Sequence, residues 1–408
     1  MINDSYQSAG FRVSALFAKR RLFADSAGEV ASSARHLVHP LAPSLNLSCA
    51  NEFADVDALG DAHANKYSSV RYSRDSSDLV LHAERCVSAL HGSSLACLFQ
   101  SGMAAVDAAL TVALNHVKAV AIIGSIYRKS MSLVELKAGE RDIRCIRLNS
   151  VDDFLAISND LPLEILVFAE TPCNPFLELQ DVVKLRAGAP NSLIILDVTL
   201  QGLANDRLGL HFYADILISS CTKYIGGHND LLAGYAVTRR QDLYQKLWEL
   251  RSMRGSILDS LSAFLLLRSL RTYDARIERQ VSSVGAVLSF LDQSEKVDRI
   301  YYPGAWANNV QDELFRSSHY HGGSVVSFEL DSSVNIKRNI GSLMVVKMAP
   351  SFGSVDSLIE IPALMSYWGK ASSELMKIGI SESLVRLSVG LEPPDLIISD
   401  LTRLVGID

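Results

Sequence analysis

Residues 214–237 read ADILISSCTKYIGGHNDLLAGYAV. The run Ile216, Leu217, Ile218 has the continuous apolar character of a strand buried on both faces. Ser219, Ser220, Cys221 and Thr222 follow it, then Lys223, and the turn Gly226, Gly227 comes next. A lysine just past a buried strand, preceded by small hydroxyl side chains, suits an amine that forms a Schiff base with an aldehyde cofactor whose phosphate the hydroxyls hold. The other reading of the same residue is a solvated loop lysine beside glycines.

Outward from this stretch, helical patterns alternate with short β-rich runs between about residues 84 and 240. The runs are AVAIIG (119–124), IRCIRL (143–148), EILVFAE (164–170), LIILDV (193–198), DILISS (215–220) and GYAVT (234–238). Their pattern predicts an α/β domain with a mainly parallel central sheet, and such sheets place ligands at the carboxyl ends of their strands. Glu170, Asp197, Ser220 and Lys223 all fall at or just past such ends. A long helical stretch over about 258–289 leads into a different pattern. There GGSVVSFEL reads as a strand, SVNIKRNIGSL as a helix and SESLVRLSVG as a segment ending in a strand. The expected organisation is an N-terminal segment (1–65) making oligomer contacts, a large domain (66–258) and a smaller α+β domain (259–408).

The chain has 408 residues, 48% of them hydrophobic, which suffices for a large buried core. Its net charge is −6 and its only basic tract is Lys19, Arg20, Arg21, so nucleic acid is not an expected partner. No apolar run reaches the ~18 residues of a membrane span. Six cysteines with no CxxC pair point to a reducing, cytoplasmic setting. His319 and His321 form an HxH in a polar loop with no third ligand in view, so no metal is expected. FRVSALFAKRRLF (11–23) has the pattern of a short basic amphipathic helix, read as an arm packing on a neighbouring subunit.

Four further positions carry candidate chemistry. Ser101, Gly102 and Met103 precede an Ala-rich helix, whose N-terminus is either a phosphate seat or an ordinary cap. Asp197 ends a buried strand and needs a partner, which a protonated pyridine nitrogen, a helix cap or a salt bridge would each supply. Tyr127 follows another strand end, where its ring either stacks on a flat cofactor or belongs to the core. Arg386, inside the apolar run LVRLSVG, requires an anion: a substrate α-carboxylate or a structural Asp or Glu.

Together these segments resemble the Cys/Met-metabolism family of pyridoxal-phosphate enzymes, and within it the plant-type cystathionine γ-synthases. The similar stretches are YSR (72–74), SGMAA (101–105), YRK (127–129), ETPCNPFLE (170–178), SSCTKYIGGHNDLLAG (219–234), APSFGSVDSLIEIPALMSYW (349–368) and VRLSVGLE (385–392), in family order. The resemblance implies the aspartate-aminotransferase fold (fold type I), pyridoxal 5′-phosphate as cofactor and a homotetramer of two active dimers. Lys223 would be the Schiff-base lysine, Asp197 with Thr199 beside it the partner of the pyridine nitrogen, and Tyr127 the stacking ring. Asn174 would contact the 3-hydroxyl. Gly102, Met103, Ser220 and Thr222 would hold the phosphate, with Tyr72 and Arg74 donated by the neighbouring subunit. Ser351 and Arg386 would bind the substrate's amino-acid end, and Asp356 the amino group of an incoming cysteine.

The implied reaction is γ-replacement on an activated homoserine by a thiol, with an elimination lyase, a sulfhydrylase or a catalytically silent binding subunit as alternatives. The chain departs from the family pattern at Ser77, Asp78 and Leu79, at Cys173, at Ser354 and at Val198. Several of these are expected around the substrate entrance, where they would alter the nucleophile or leaving group.

Overall fold

The computed structural model describes residues 41–406, except 93, 163, 204 and 306–308, together with Val13. Apart from Val13, the amphipathic helix and arm expected within residues 1–40 lie outside the described residues.

All six β-rich runs form strands. With one unexpected strand, β1 (Leu95–Phe99), they are β2 (Ala119–Ile123), β3 (Arg144–Leu148), β4 (Ile165–Glu170), β5 (Leu193–Asp197), β6 (Ile216–Ser220) and β7 (Gly234–Thr238). They make one sheet in the order β1-β7-β6-β5-β4-β2-β3. The pairs from β3 through β6 are parallel, while β7 runs antiparallel to both β6 and β1. Strand alternation distributes each run over two cores: Ile165, Val167 and Ala169 of β4 join one, Leu166 and Phe168 the other. Both faces are covered over β2, β4, β5, β6 and β7, which is why those runs carry no polar alternation, whereas β3 at the sheet edge keeps Arg144 and Arg147 exposed.

The register sets the ends of the strands side by side. Glu170 is opposite Asp197, and Asp197 is opposite Ile218, two residues before Ser220. The carboxyl edge of β4, β5 and β6 therefore presents the residues singled out in the sequence.

A second sheet has the order β10-β11-β12-β9-β8, from β8 (Val297–Tyr301), β9 (Val325–Leu330), β10 (Lys347–Met348), β11 (Leu358–Glu360) and β12 (Leu384–Ser388). The expected helical stretch before it is two helices, Ser260–Leu270 and Tyr273–Gln293. Ala263, Leu266, Leu270, Ile277 and Val281 pack into the first core of the large sheet, whereas Val284, Val287 and Leu291 pack under the second sheet. Helix Tyr273–Gln293 thus passes from the core of the large sheet to that of the second sheet. The helix expected over 333–343 is only Ile336–Asn339 followed by a 3-10 turn, Ile340–Ser342.

His319 and His321 lie in the loop before β9, as expected, but both are buried. Burial lowers the pKa of His319 to about 3 and of His321 to about 4, so both are neutral at pH 7. Asn205 Oδ1 accepts the backbone N–H groups of Tyr320 and His321 at 2.9 and 3.1 Å, a structural clasp between the two domains. Among the described residues no group of three His, Cys, Asp or Glu side chains is arranged to hold a metal, and no helix is long and apolar enough to cross a membrane. All six cysteines are free thiols.

Candidate active site

Asp197 is the last residue of β5. Its Oδ1 accepts from the Thr199 backbone N–H at 2.9 Å and from Thr199 Oγ1 at 2.6 Å. Thr199 Oγ1 in turn accepts from the Ser220 N–H at 2.9 Å, so one hydroxyl ties the ends of β5 and β6 together. Burial pushes the Asp197 pKa up to about 6, against the pull of the two Thr199 bonds. No cationic side chain pairs with it among the described residues. A buried carboxyl with no cation beside it is an unmet requirement for a positive partner.

Lys223 lies in the turn after β6. Its Nζ donates to Ser351 Oγ at 2.8 Å. Burial, and secondarily the Arg386 charge, lowers its pKa to about 8, with Glu360 opposing. Ser351 is a non-glycine residue at φ +102, a backbone state that costs roughly 1–3 kcal/mol and tends to be retained where function needs it.

Helix Gly102–Ala113 begins against the end of β6. Ser101 caps it, its Oγ accepting from the Ala104 N–H at 3.1 Å. A Cβ at Gly102 would meet Ser220 Cβ at 2.8 Å, and one at Gly234 would meet Gly102 Cα at 2.6 Å. Two missing side chains thus let the helix N-terminus, with its free N–H groups, reach the Ser220 hydroxyl. Thr222 is held nearby, its Oγ1 accepting from the Ala233 N–H at 3.1 Å.

Tyr127 is fixed through its backbone, whose N–H donates to Glu170 Oε2 at 2.6 Å, while its side chain remains partly exposed. Burial, and then the adjacent Asp197, raises the Glu170 pKa well above the carboxylate range. Arg386, on β12, lies opposite Glu360 of β11, and the two buried side chains form an ion pair. Arg386 also donates to Asn174 Oδ1 at 2.9 Å and to the Ser351 carbonyl at 3.1 Å. Of the two anions expected for this arginine, a structural glutamate is present.

A cavity of about 280 Å³ joins these elements. Gly102, Met103, Tyr127, Asn174, Asp197, Thr199, Ser220, Thr222, Lys223, Ser351 and Arg386 all line it. Tyr72, Arg74 and Asp356 do not. Tyr72 and Arg74 are exposed, with the guanidinium 5.2 Å from the Tyr72 ring centroid. Asp356 sits in an adjoining pocket, paired with Lys347 and accepting from Asn229 Nδ2 at 3.1 Å. The departures from the family pattern are buried apart from exposed Asp78, and none of them lines the cavity, contrary to the expected place at the entrance. Ser77 instead caps helix Asp78–Leu90.

The sequence reading missed Glu360, Phe352 and Leu232 in the wall. Phe352 lies under two cations, 5.1 Å from Lys223 Nζ and 5.5 Å from the Arg386 guanidinium. Glu360 had a signal, since it is the one charge in the apolar run LIEIPAL and a buried arginine demands an anion.

Comparison with known proteins identifies the family of the chain. Residues 30–405 match the family described as Cys/Met metabolism PLP-dependent enzyme. The chain is 30% identical to chloroplastic cystathionine gamma-synthase 1 of Arabidopsis thaliana over 86% of its own length, and the match spans 62% of that longer protein. It is also 30% identical to cystathionine gamma-lyase of Dictyostelium discoideum, over 83% of this chain and 87% of the lyase. Among solved structures, cystathionine gamma synthase from Xanthomonas oryzae pv. oryzae in complex with cystathionine superposes with a TM-score of 0.84 at 26% identity, covering 97% of this chain and 98% of that one.

Proposed function

The chain belongs to the Cys/Met metabolism family of PLP-dependent enzymes, and on that premise we propose that it catalyses γ-replacement on an activated homoserine, with a thiol amino acid as nucleophile. The observation that carries this reading is the pocket beside the Lys223 cavity. The two share Thr222, Leu232, Pro350 and Ser351 as walls, so a second reactant has a place next to the first. An elimination needs no such place.

Three features of the site fit pyridoxal 5′-phosphate: the buried Asp197 without a cation, the amine of Lys223 with its lowered pKa, and the helix N-terminus brought to Ser220 by Gly102 and Gly234. In this reading Lys223 would hold the cofactor's aldehyde end, and Asp197, backed by Thr199, would pair with the ring nitrogen. Tyr127 covers the ring and Asn174 meets its 3-hydroxyl. Gly102, Met103, Ser220 and Thr222 hold the phosphate. Tyr72 and Arg74, exposed on their own chain, complete that cup in a neighbouring copy within a homotetramer.

The bound cofactor supplies a sink for the electron pair released at the substrate Cα. The protein's own part is positional and protonic. Arg386 presents guanidinium donors to the α-carboxylate, held in place by Glu360 and Asn174. The Lys223 amine would take the Cα proton, and Ser351 Oγ at 2.8 Å keeps it aimed into the cavity. Phe352, Leu232 and Pro350 supply apolar wall that limits water. In the net reaction the thiol sulfur bonds to Cγ, the Cγ–O bond breaks, and the thiol proton leaves with the departing acid.

Purified protein given O-acyl or O-phospho homoserine and cysteine is expected to yield cystathionine, read by mass spectrometry. Ammonia and a 2-oxo acid as the main products, with no thioether, would replace this reading by γ-elimination, and uptake of sulfide in preference to cysteine would replace it by a sulfhydrylase.

The lowered Lys223 pKa gives a pH test of cofactor capture. Only the neutral amine attacks an aldehyde, and at pH 7 a pKa of about 8 leaves about a tenth of it neutral, against less than about a thousandth for an ordinary lysine. The second-order rate of cofactor uptake by apo-protein, followed by absorbance, should rise with pH and level off just above pH 8. A rate still climbing tenfold per pH unit at pH 9.5 contradicts the assignment.

A further inference from the structure

We propose that Phe352 is a positioning residue whose ring is a cation platform: it holds the Lys223 ammonium, the form this base takes on accepting the substrate proton, beside the permanent charge of Arg386. This role rests on the reading of Lys223 as the base that carries the cofactor. The backbone delivers the ring to its place. Phe352 stands between Ser351 at φ +102 and Gly353 at φ +77. A Cβ on Gly353 would meet the Tyr224 backbone nitrogen at 2.8 Å, and the Gly353 N–H donates to Ser388 Oγ at 2.8 Å. The turn is thus pressed against the Lys223 segment on one side and pinned to the end of β12 on the other. The Phe352 ring is buried and meets the Tyr224 ring in a T-shaped contact, with centroids 5.7 Å apart. Lys223 Nζ stands over the Phe352 ring at 5.1 Å from its centroid and the Arg386 guanidinium at 5.5 Å, both within the ~6 Å over which a π face attracts a cation.

The charges around Lys223 show what the platform is for. Arg386, on β12, repels a second cation. Glu170, Asp197 and Glu360 are the carboxyl groups among the described residues of the cavity wall, and each has another task. Glu360, on β11, is paired with Arg386. Asp197, at the end of β5, is assigned to the cofactor's ring nitrogen. Glu170, at the end of β4, is pushed toward its neutral form by burial and by Asp197, and accepts the Tyr127 N–H. Ser351 Oγ takes one of the three ammonium hydrogens. The ring face supplies the attraction that these groups do not. A carboxylate in its place would hold the amine charged and unable to attack an aldehyde, and an aliphatic side chain would leave the ammonium facing hydrocarbon. An aromatic face lies between the two: it steadies the ammonium weakly enough that the neutral amine stays within reach.

The test replaces Phe352 by mono-, di- and trifluorinated phenylalanine, which keep the ring's shape while draining charge from its face stepwise, and by leucine, which has no π face. The first readout is the pH dependence of pyridoxal phosphate uptake by the full-length apo-protein, whose midpoint reports protonation of Lys223. Weakening the attraction for the ammonium lowers the pKa of the lysine, so the midpoint should fall in the order of fluorination and reach about half to one pH unit below wild type in the trifluorinated and Phe352→Leu proteins. The second readout is exchange of the Cα hydrogen of a bound amino acid in deuterated water by the holoenzyme. It should slow in the same order, by about two- to fivefold, because the ammonium formed at Lys223 is less well held. The fluorinated series decides alone where Phe352→Leu does not fold. A midpoint that stays in place across that series, or that moves only in Phe352→Leu, would overturn the platform and leave Phe352 a packing role. Uptake that survives Lys223→Ala, or a wild-type midpoint at the pKa of an ordinary lysine, would instead overturn the reading of Lys223, and the platform with it.

Discussion

Lys223→Ala is expected to lower kcat/KM for thioether formation on the order of 10⁴-fold or more, because one amine is assigned both cofactor attachment and the Cα proton transfer. Its fold should survive. A lysine pKa lowered from 10.5 to about 8 means that the native protein at pH 7 carries an ammonium disfavoured by about 3 kcal/mol. Removing the side chain relieves that penalty and loses a comparable amount of buried methylene stem, about 0.8 kcal/mol per CH₂. The two nearly cancel, so apo wild type and apo variant should melt within a few degrees at pH 7. Between pH 8 and 10.5 the unfolded state binds more protons at this lysine than the native state does, so apo wild type gains stability relative to the variant as the pH rises through that window. Melting curves across the range check both statements, and a variant unfolded at pH 7 contradicts them.

Arg386→Met is expected to cost both stability and catalysis, and the two losses are separable. The variant leaves the buried Glu360 carboxylate without its cation, which costs about 3–5 kcal/mol. It also removes the guanidinium assigned to the substrate α-carboxylate, and kcat/KM should fall on the order of 10²-fold. Adding Glu360→Gln removes the stranded charge, so the double variant should regain most of the stability measured by denaturant unfolding while its kcat/KM stays low. Recovery of activity along with stability would show that Arg386 serves only the fold.

The positions of these residues were legible in the sequence where strand and chemistry coincide. Continuous apolar runs ending in Glu170, Asp197 and Ser220 specify both a doubly covered sheet and the edge where ligands bind. What escaped has physical reasons. β1, LACLF, is brief, contains small residues and pairs antiparallel with β7, so its partner lies far along the chain. Glu360 becomes meaningful only through its cross-strand register with Arg386. The division of the two cores falls inside one unbroken helix, Tyr273–Gln293, which has no composition break to mark it. The burial of the loop carrying His319 and His321 escaped because Asn205, which accepts the Tyr320 and His321 backbone N–H groups, is more than a hundred residues away. The Asp356 and Lys347 pair shows the reverse case: a motif position can be identified by resemblance while its partner cannot.

The central assignment is that Lys223 carries the cofactor. Treating the purified holoenzyme with borohydride, digesting it and mapping the peptides by mass spectrometry tests this directly. The reduced pyridoxyl group should be found on Lys223, within residues 214–237. A label on another lysine, or a protein that takes up pyridoxal phosphate and is left unlabelled at Lys223, would contradict it.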